Sequence, residues 1–153
     1  MDATDVAFAS ASAATALEGW NAITPEARGK ILRKWADSKF ITLENGKPFS
    51  EENAEVTSTA SYLKFYSGGA ERAYGDAIHT ANPADQCFAI KQPIGVVTCM
   101  TLWNFPAAMI ARKAGGAIAA GYTVVVKSDG GTPLTALAMA YLAEQSGLPK
   151  RSS

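Results

Sequence analysis

Ile94-Gly95-Val96-Val97-Thr98-Cys99-Met100, then Thr101-Leu102-Trp103-Asn104-Phe105-Pro106-Ala107 and, one helix later, Val124-Val125-Val126-Lys127 decide the reading of the fold. The first run is apolar and rich in β-branched residues, the pattern of a strand covered on both faces in a parallel sheet. Pro93 precedes it and a polar turn follows. Asn104 stands just ahead of a helix in which Pro106 lacks an N–H that the first turn leaves unpaired in any case. That helix is expected from Phe105 to Ala120, with Gly121 as its left-handed stop. Gly115, Gly116, Ala117, Ala119 and Ala120 carry almost no side chain, so one helix face can lie very close against a sheet or a bound molecule. Tyr122 to Val126 resumes the strand pattern. Lys127 stands at its carboxyl end, where open α/β sheets take ligands. A further helix begins at Thr132-Pro133, with Leu134, Leu137, Ala138, Tyr141 and Leu142 at helical spacing. The order is β-α-β-α, the crossover is expected to be right-handed, and the class is α/β.

Upstream the chain reads as helical scaffold. Val6, Ala13, Leu17 and Trp20 share one face of a first helix. Thr24 caps a second with Pro25 at its first position, and Ile31, Leu32 and Trp35 supply its apolar stripe. A third should span Glu51 to Tyr74, with Val56, Ala60, Leu63, Phe65 and Tyr66 turned inward and Gly68-Gly69 as a weak spot. Glu51, Glu52 and Glu55 read as a solvated helix start, where negative charge suits the dipole. The 153 residues suit one partial domain: a mainly helical scaffold over 1–86, an incomplete dinucleotide-binding unit over 87–148 and a tail over 149–153.

Composition narrows the function classes. Fourteen basic against fourteen acidic residues give no field that attracts nucleic acid or an acidic membrane. No apolar run reaches the length of a membrane span, and the start Met1-Asp2-Ala3-Thr4-Asp5 lacks the pattern of a signal peptide, so the cytoplasm is the expected location. Two cysteines, Cys87 and Cys99, suggest buried hydrophobes in a reducing compartment rather than a disulfide framework. A single histidine, His79, offers neither a metal site nor a triad.

Trp103-Asn104-Phe105-Pro106, Arg112-Lys113 and Val124-Val125-Val126-Lys127 at this spacing resemble the cofactor domain of the NAD(P)-dependent aldehyde dehydrogenases. The resemblance extends through Ile31-Leu32-Arg33-Lys34-Trp35, Leu43-Glu44-Asn45-Gly46-Lys47-Pro48, Tyr74-Gly75-Asp76 and Lys91-Gln92-Pro93-Ile94-Gly95-Val96. Ile78-His79-Thr80 and Arg112-Lys113 look most like the succinate-semialdehyde branch of 4-aminobutyrate catabolism. The resemblance implies a partial Rossmann-like cofactor domain, NAD or NADP as cofactor, a small-molecule aldehyde as substrate and a homo-oligomer for a full-length form.

By the same resemblance Asn104 holds the substrate oxygen as it becomes an oxyanion, a donor worth about 3 kcal/mol of barrier. Asparagine is equally at home as a helix cap. Leu102, Trp103 and Asn104 match a stretch lining the nicotinamide side. Arg112 matches an arginine directed at an anionic substrate and cofactor, where a guanidinium can bond a carboxylate bidentately; the alternative is a solvated helix charge. Lys127 matches the lysine that bonds the adenosine ribose, the alternative being a strand-end lysine in water. Ser128, Asp129 and Gly130 follow it, where relatives commonly have proline, alanine and a glutamate that accepts from the ribose hydroxyls, so NAD and NADP are not separated. Leu102 replaces a proline common in the family. Ala36-Asp37-Ser38-Lys39-Phe40 stands where relatives continue the second helix, implying a join shorter by about two helical turns. The family's nucleophilic cysteine, general-base glutamate and next glycine-rich turn lie beyond Ser153, so the 153 residues are expected to be inactive alone. Two classes stay open: part of an aldehyde-oxidising enzyme, or a non-catalytic nucleotide- or subunit-binding fragment or pseudogene-like relic.

Overall fold

A computed structural model describes residues 2–36 and 44–149. Along the chain come α1 (Ala3–Asn21), α2 (Pro25–Ala36), α3 (Phe49–Gly69), a 3-10 turn (Ala70–Arg72), β1 (Asp76–Ile78), β2 (Cys87–Ala89), β3 (Val96–Met100), α4 (Pro106–Ala119), β4 (Thr123–Lys127) and α5 (Pro133–Gln145). The expected join between Trp35 and Leu43 and the end of the tail lie outside the described residues.

The helix starts follow local chemistry where the sequence supplies it. Asp2 and Asp5 form a reciprocal capping box at α1, each backbone N–H reaching the other's carboxylate at 2.9 and 3.0 Å. At α2 the Thr24 hydroxyl accepts the Ala27 N–H at 3.3 Å, with Pro25 in the first turn. The strand and helix bounds of the β-α-β-α unit fall within one or two residues of those read from sequence. Gly121, just past α4, has φ 97°, the left-handed stop that glycine adopts without strain.

β3 and β4 form a parallel pair in register from Val96 opposite Thr123 to Met100 opposite Lys127. α4 is the hub of the core and packs against α2, α3, α5 and both strands. Ile110, Ala111, Ala114 and Ile118 of α4 are buried with Trp20, Leu32, Leu63, Cys99 and Met139. α1 lies against β4 and β3, and the Thr123 hydroxyl donates to the Ala13 carbonyl at 2.8 Å. The glycines of α4 meet neither the sheet nor open space: a Cβ at Gly115 would stand 3.0 Å from the Tyr66 ring, and one at Gly116 3.2 Å from it. They exist so that α3 can press an aromatic ring onto α4. Between α1, β4 and α5 a cavity of about 620 Å³ is lined by Trp20, Trp35, Val124, Val126, Met139 and Ala143.

Several expectations change. Asp76–Ile78 and Cys87–Ala89 pair as an antiparallel hairpin, exposed throughout, across the boundary drawn at residues 86 and 87. Its turn is tied by the Thr80 hydroxyl to the Asn82 carbonyl at 2.7 Å, and a Cβ at Gly75 would stand 2.0 Å from the Ala89 carbonyl oxygen. Cys87 therefore is exposed rather than buried, whereas Cys99 is buried. Val6 and Phe65 are exposed. The inner face of α3 is the line Glu52, Glu55, Thr59, Leu63 and Ser67, so the two glutamates read as solvated are buried. On α5 the buried line is Thr135, Met139 and Ala143, one step off the expected stripe, leaving Leu134, Leu137 and Tyr141 exposed. Hydropathy ranks side chains by size, but close helix contacts select small and shape-fitting ones.

Candidate functional site

The carboxyl ends of β3 and β4 carry the loops that hold nearly every residue singled out from sequence. The Thr101 N–H donates to the Lys127 carbonyl at 3.1 Å, extending the parallel ladder past its last register pair. Beyond it Leu102, Trp103 and Asn104 are exposed on one loop, and Lys127, Ser128, Asp129 and Gly130 lie on the other. The loops adjoin: a Cβ at Gly131 would stand 3.9 Å from the Trp103 Cβ. Asp129 is committed to its own loop, its Oδ1 accepting the Gly131 N–H at 2.8 Å. A Cβ at Gly130 would meet nothing within 4 Å, so this surface is open to an incoming molecule. Arg112 stands apart, exposed on α4 beside Lys113, whose ammonium donates to the Met100 carbonyl.

α4 and α5 start without a local cap. Phe105 and Thr132 occupy the cap positions, neither offers a side-chain bond, and proline follows each. The next N–H groups still need acceptors, and carboxylates from distant chain supply them. Glu55 Oε1 accepts from Ala107 at 2.9 Å and Ala108 at 3.2 Å. Glu44 accepts from the Leu134 and Thr135 N–H groups at 2.6 and 2.8 Å and from the Thr135 hydroxyl at 2.8 Å. Burial raises the Glu44 pKa, but these donors outweigh it and hold the carboxyl below its ordinary value. The far end of α4 is treated in reverse: Trp20 Nε1 and Arg28 Nε donate to the Ile118 and Ala119 carbonyls at 3.2 and 3.3 Å. Anion at the start and cation at the end both oppose the helix dipole.

Glu55 takes the cap role in place of Asn104, since it accepts the Ala107 and Ala108 N–H groups while the Met109 N–H goes to the Phe105 carbonyl. The Asn104 backbone is held instead. Lys47 Nζ donates to the Asn104 carbonyl at 2.6 Å, lies 2.7 Å from Glu55 Oε2 and sits 4.1 Å from the centre of the Phe105 ring. The Asn45 amide donates to the Trp103 carbonyl at 2.5 Å. Glu44, Asn45, Lys47 and Glu55 were not singled out as site residues from sequence. The signal was there: two helices opening on proline with no bonding cap demand acceptors from elsewhere, and Glu55 shares its face with Thr59 and Leu63.

Neither thiol lies on these loops. Cys99 points into the core from β3, and burial raises its pKa against the smaller opposing effect of Lys113. Cys87 sits on the exposed hairpin. Among the described residues no helix is long and apolar enough to cross a membrane.

Residues 1–152 match the family model described as aldehyde dehydrogenase family. The chain is 43% identical to glutarate-semialdehyde dehydrogenase of Pseudomonas aeruginosa, over 98% of itself and 33% of that protein. It is 48% identical to succinate-semialdehyde dehydrogenase [NADP(+)] of Saccharomyces cerevisiae, over 84% of itself and 28% of that protein. A crystal structure of PnpE in complex with nicotinamide adenine dinucleotide superposes with a TM-score of 0.92 at 32% identity, covering 97% of this chain and 32% of that one. The chain thus spans about a third of the length of the curated relatives it matches.

Proposed function

This chain belongs to the aldehyde dehydrogenase family, and from that premise we propose that it contributes the oxyanion-binding and adenosine-binding edge of an NAD- or NADP-dependent oxidation of an aldehyde to a carboxylic acid, with succinate semialdehyde as substrate. The observation that carries the reading is the state of Asn104: an exposed side chain at the carboxyl end of β3, released from capping by Glu55 and fixed through its backbone. An amide so placed can donate to a carbonyl oxygen that gains charge when the aldehyde carbon is attacked.

The open loop from Lys127 to Gly130 fits a nucleotide. Lys127 would bond the ribose, and Leu102 and Trp103 would border the nicotinamide. With Asp129 Oδ1 held by Gly131 and no glutamate at Gly130, the loop carries no carboxylate committed to the ribose hydroxyls, so NAD and NADP both fit. When bound, either cofactor supplies the acceptor for the hydride lost from the aldehyde carbon. Arg112 would draw the substrate carboxylate. The cytoplasm is the location proposed for the chain.

The 153 residues themselves supply binding and not turnover, because Cys99 is buried and protonated and Cys87 stands on a hairpin. The test is saturation-transfer NMR of the purified chain with NAD+ and NADP+, beside an absorbance assay with succinate semialdehyde. Transfer to adenosine protons that weakens in Lys127→Ala, with no reduced cofactor formed, is expected. Absence of transfer sinks the nucleotide reading; formation of NADH or NADPH sinks the claim of inactivity.

A further inference from the structure

The segment Glu44-Asn45-Gly46-Lys47 crosses between the two helix starts, bonding the Leu102–Asn104 loop on one side and the first turn of α5 on the other. Glu44 holds the first turn of α5, at the end of the loop that begins with Lys127. Gly46 has φ 72° and a Cβ there would meet nothing within 4 Å, so its requirement is conformational: it bends the strap so that the residues on either side of it face the same turn. The Asn45 amide then grips the Trp103 carbonyl, and the Lys47 ammonium grips the Asn104 carbonyl.

Those two carbonyls belong to the peptide planes on either side of the Asn104 Cα. Each peptide unit is rigid, so the orientation of two successive planes determines φ and ψ of the residue between them, and with those the direction of its Cα–Cβ bond. Gripping both carbonyls therefore sets the direction in which the Asn104 side chain leaves the backbone without touching its amide, which leaves the N–H groups for a ligand. Lys47 in turn is held by Glu55 at 2.7 Å, with both side chains less than a tenth exposed. The same carboxylate fixes the start of α4 through Ala107 and Ala108. The turn and the helix behind it are thus referred to one buried ion pair.

The geometry points to Asn45 and Lys47 as positioning residues that clamp the two peptide planes flanking Asn104 and so aim its side-chain amide. This assignment rests on the reading of Asn104 as the oxyanion donor given above.

Amide hydrogen exchange on the purified chain tests it, comparing wild type with Lys47→Met, Asn45→Ala and the conservative Lys47→Arg. Losing a charged donor should speed exchange at Asn104, Phe105, Ala107 and Ala108 by about tenfold or more in Lys47→Met. Exchange across β3 and α1 should hold in Asn45→Ala, which leaves the Lys47–Glu55 pair in place, and Lys47→Arg should return the turn to within about twofold of wild type. No change at the turn, an equal rise throughout the chain in Asn45→Ala, or an arginine variant no better than methionine would each overturn the clamp. Nucleotide binding by the wild-type chain is scored separately. Its absence with a local rise in exchange leaves the clamp and removes the proposed function; its presence with no local rise does the opposite.

Discussion

Lys47 Nζ lies 2.7 Å from Glu55 Oε2 with both side chains less than a tenth exposed, so neither charge has water to fall back on. Removing one partner of such a pair strands the other, at a typical cost of about 3–5 kcal/mol. Glu55→Ala also orphans the Ala107 and Ala108 N–H groups. Urea unfolding should place that variant at the high end of the range. A loss under about 1 kcal/mol would mean the pair behaves as a surface one.

Two glycine-to-alanine changes should move stability in opposite directions. Gly19, in α1, has nothing within 4 Å of a built Cβ, so alanine gains helix propensity of up to about 1 kcal/mol. At Gly115 the added methyl would lie 3.0 Å from Tyr66 and 3.2 Å from Leu63, itself only 2% exposed. Overpacking there should outweigh the propensity gain, for a net loss of about 1–2 kcal/mol. A thermal melt reads both, and a rise in Tm for Gly115→Ala would show that Tyr66 is free to retreat.

The thiols should react as two classes. Cys87 is exposed and should react with a thiol reagent in the folded chain. Cys99 is 2% exposed with its pKa raised by burial, and should react only on unfolding. Two equally fast thiols would mean that β3 opens readily.

Glu44 gives the α5 start a pH dependence of definite sign. Its folded-state pKa lies below the ordinary glutamate value because Thr135 and Leu134 donors overcome the effect of burial. Its contribution is therefore complete above that ordinary value and is lost as pH falls through the lowered one. The stability gap between wild type and Glu44→Gln, followed by urea midpoint, should be widest near neutrality and close in acid. A gap independent of pH would mean that the charge plays no part.

Within a complete enzyme carrying this segment, Asn104→Ala should lower kcat by about two to three orders of magnitude. Arg112→Ala should depress oxidation of succinate semialdehyde more than that of an uncharged aldehyde. Unchanged kcat in the first, or equal losses in the second, would remove the respective role.

The β-α-β-α unit was legible because its signals are local: β-branched runs, proline at two helix starts and glycine at one stop. The burial of Glu52 and Glu55, the shifted face of α5 and the exposure of Phe65 were not. Each depends on which neighbour a helix meets, and a carboxylate at a helix start reads the same whether it faces water or the start of another helix. The hairpin was missed because its strands, Asp76–Ile78 and Cys87–Ala89, are too short for a period-2 pattern to emerge. The loops from Leu102 to Asn104 and after Lys127 follow from the strands that precede them, whereas the strap at Glu44–Lys47 reads in sequence only as a family landmark.

Helix starts are the usual cradle for phosphate groups, since their bare N–H groups and positive dipole ends attract anions. Here α4 and α5 already carry the Glu55 and Glu44 carboxylates on those N–H groups. On the proposed function, a dinucleotide laid along this edge would meet the chain with its ribose, base and nicotinamide. On that reading its pyrophosphate would face repulsion at both helix starts, and its neutralising groups would lie outside those two first turns.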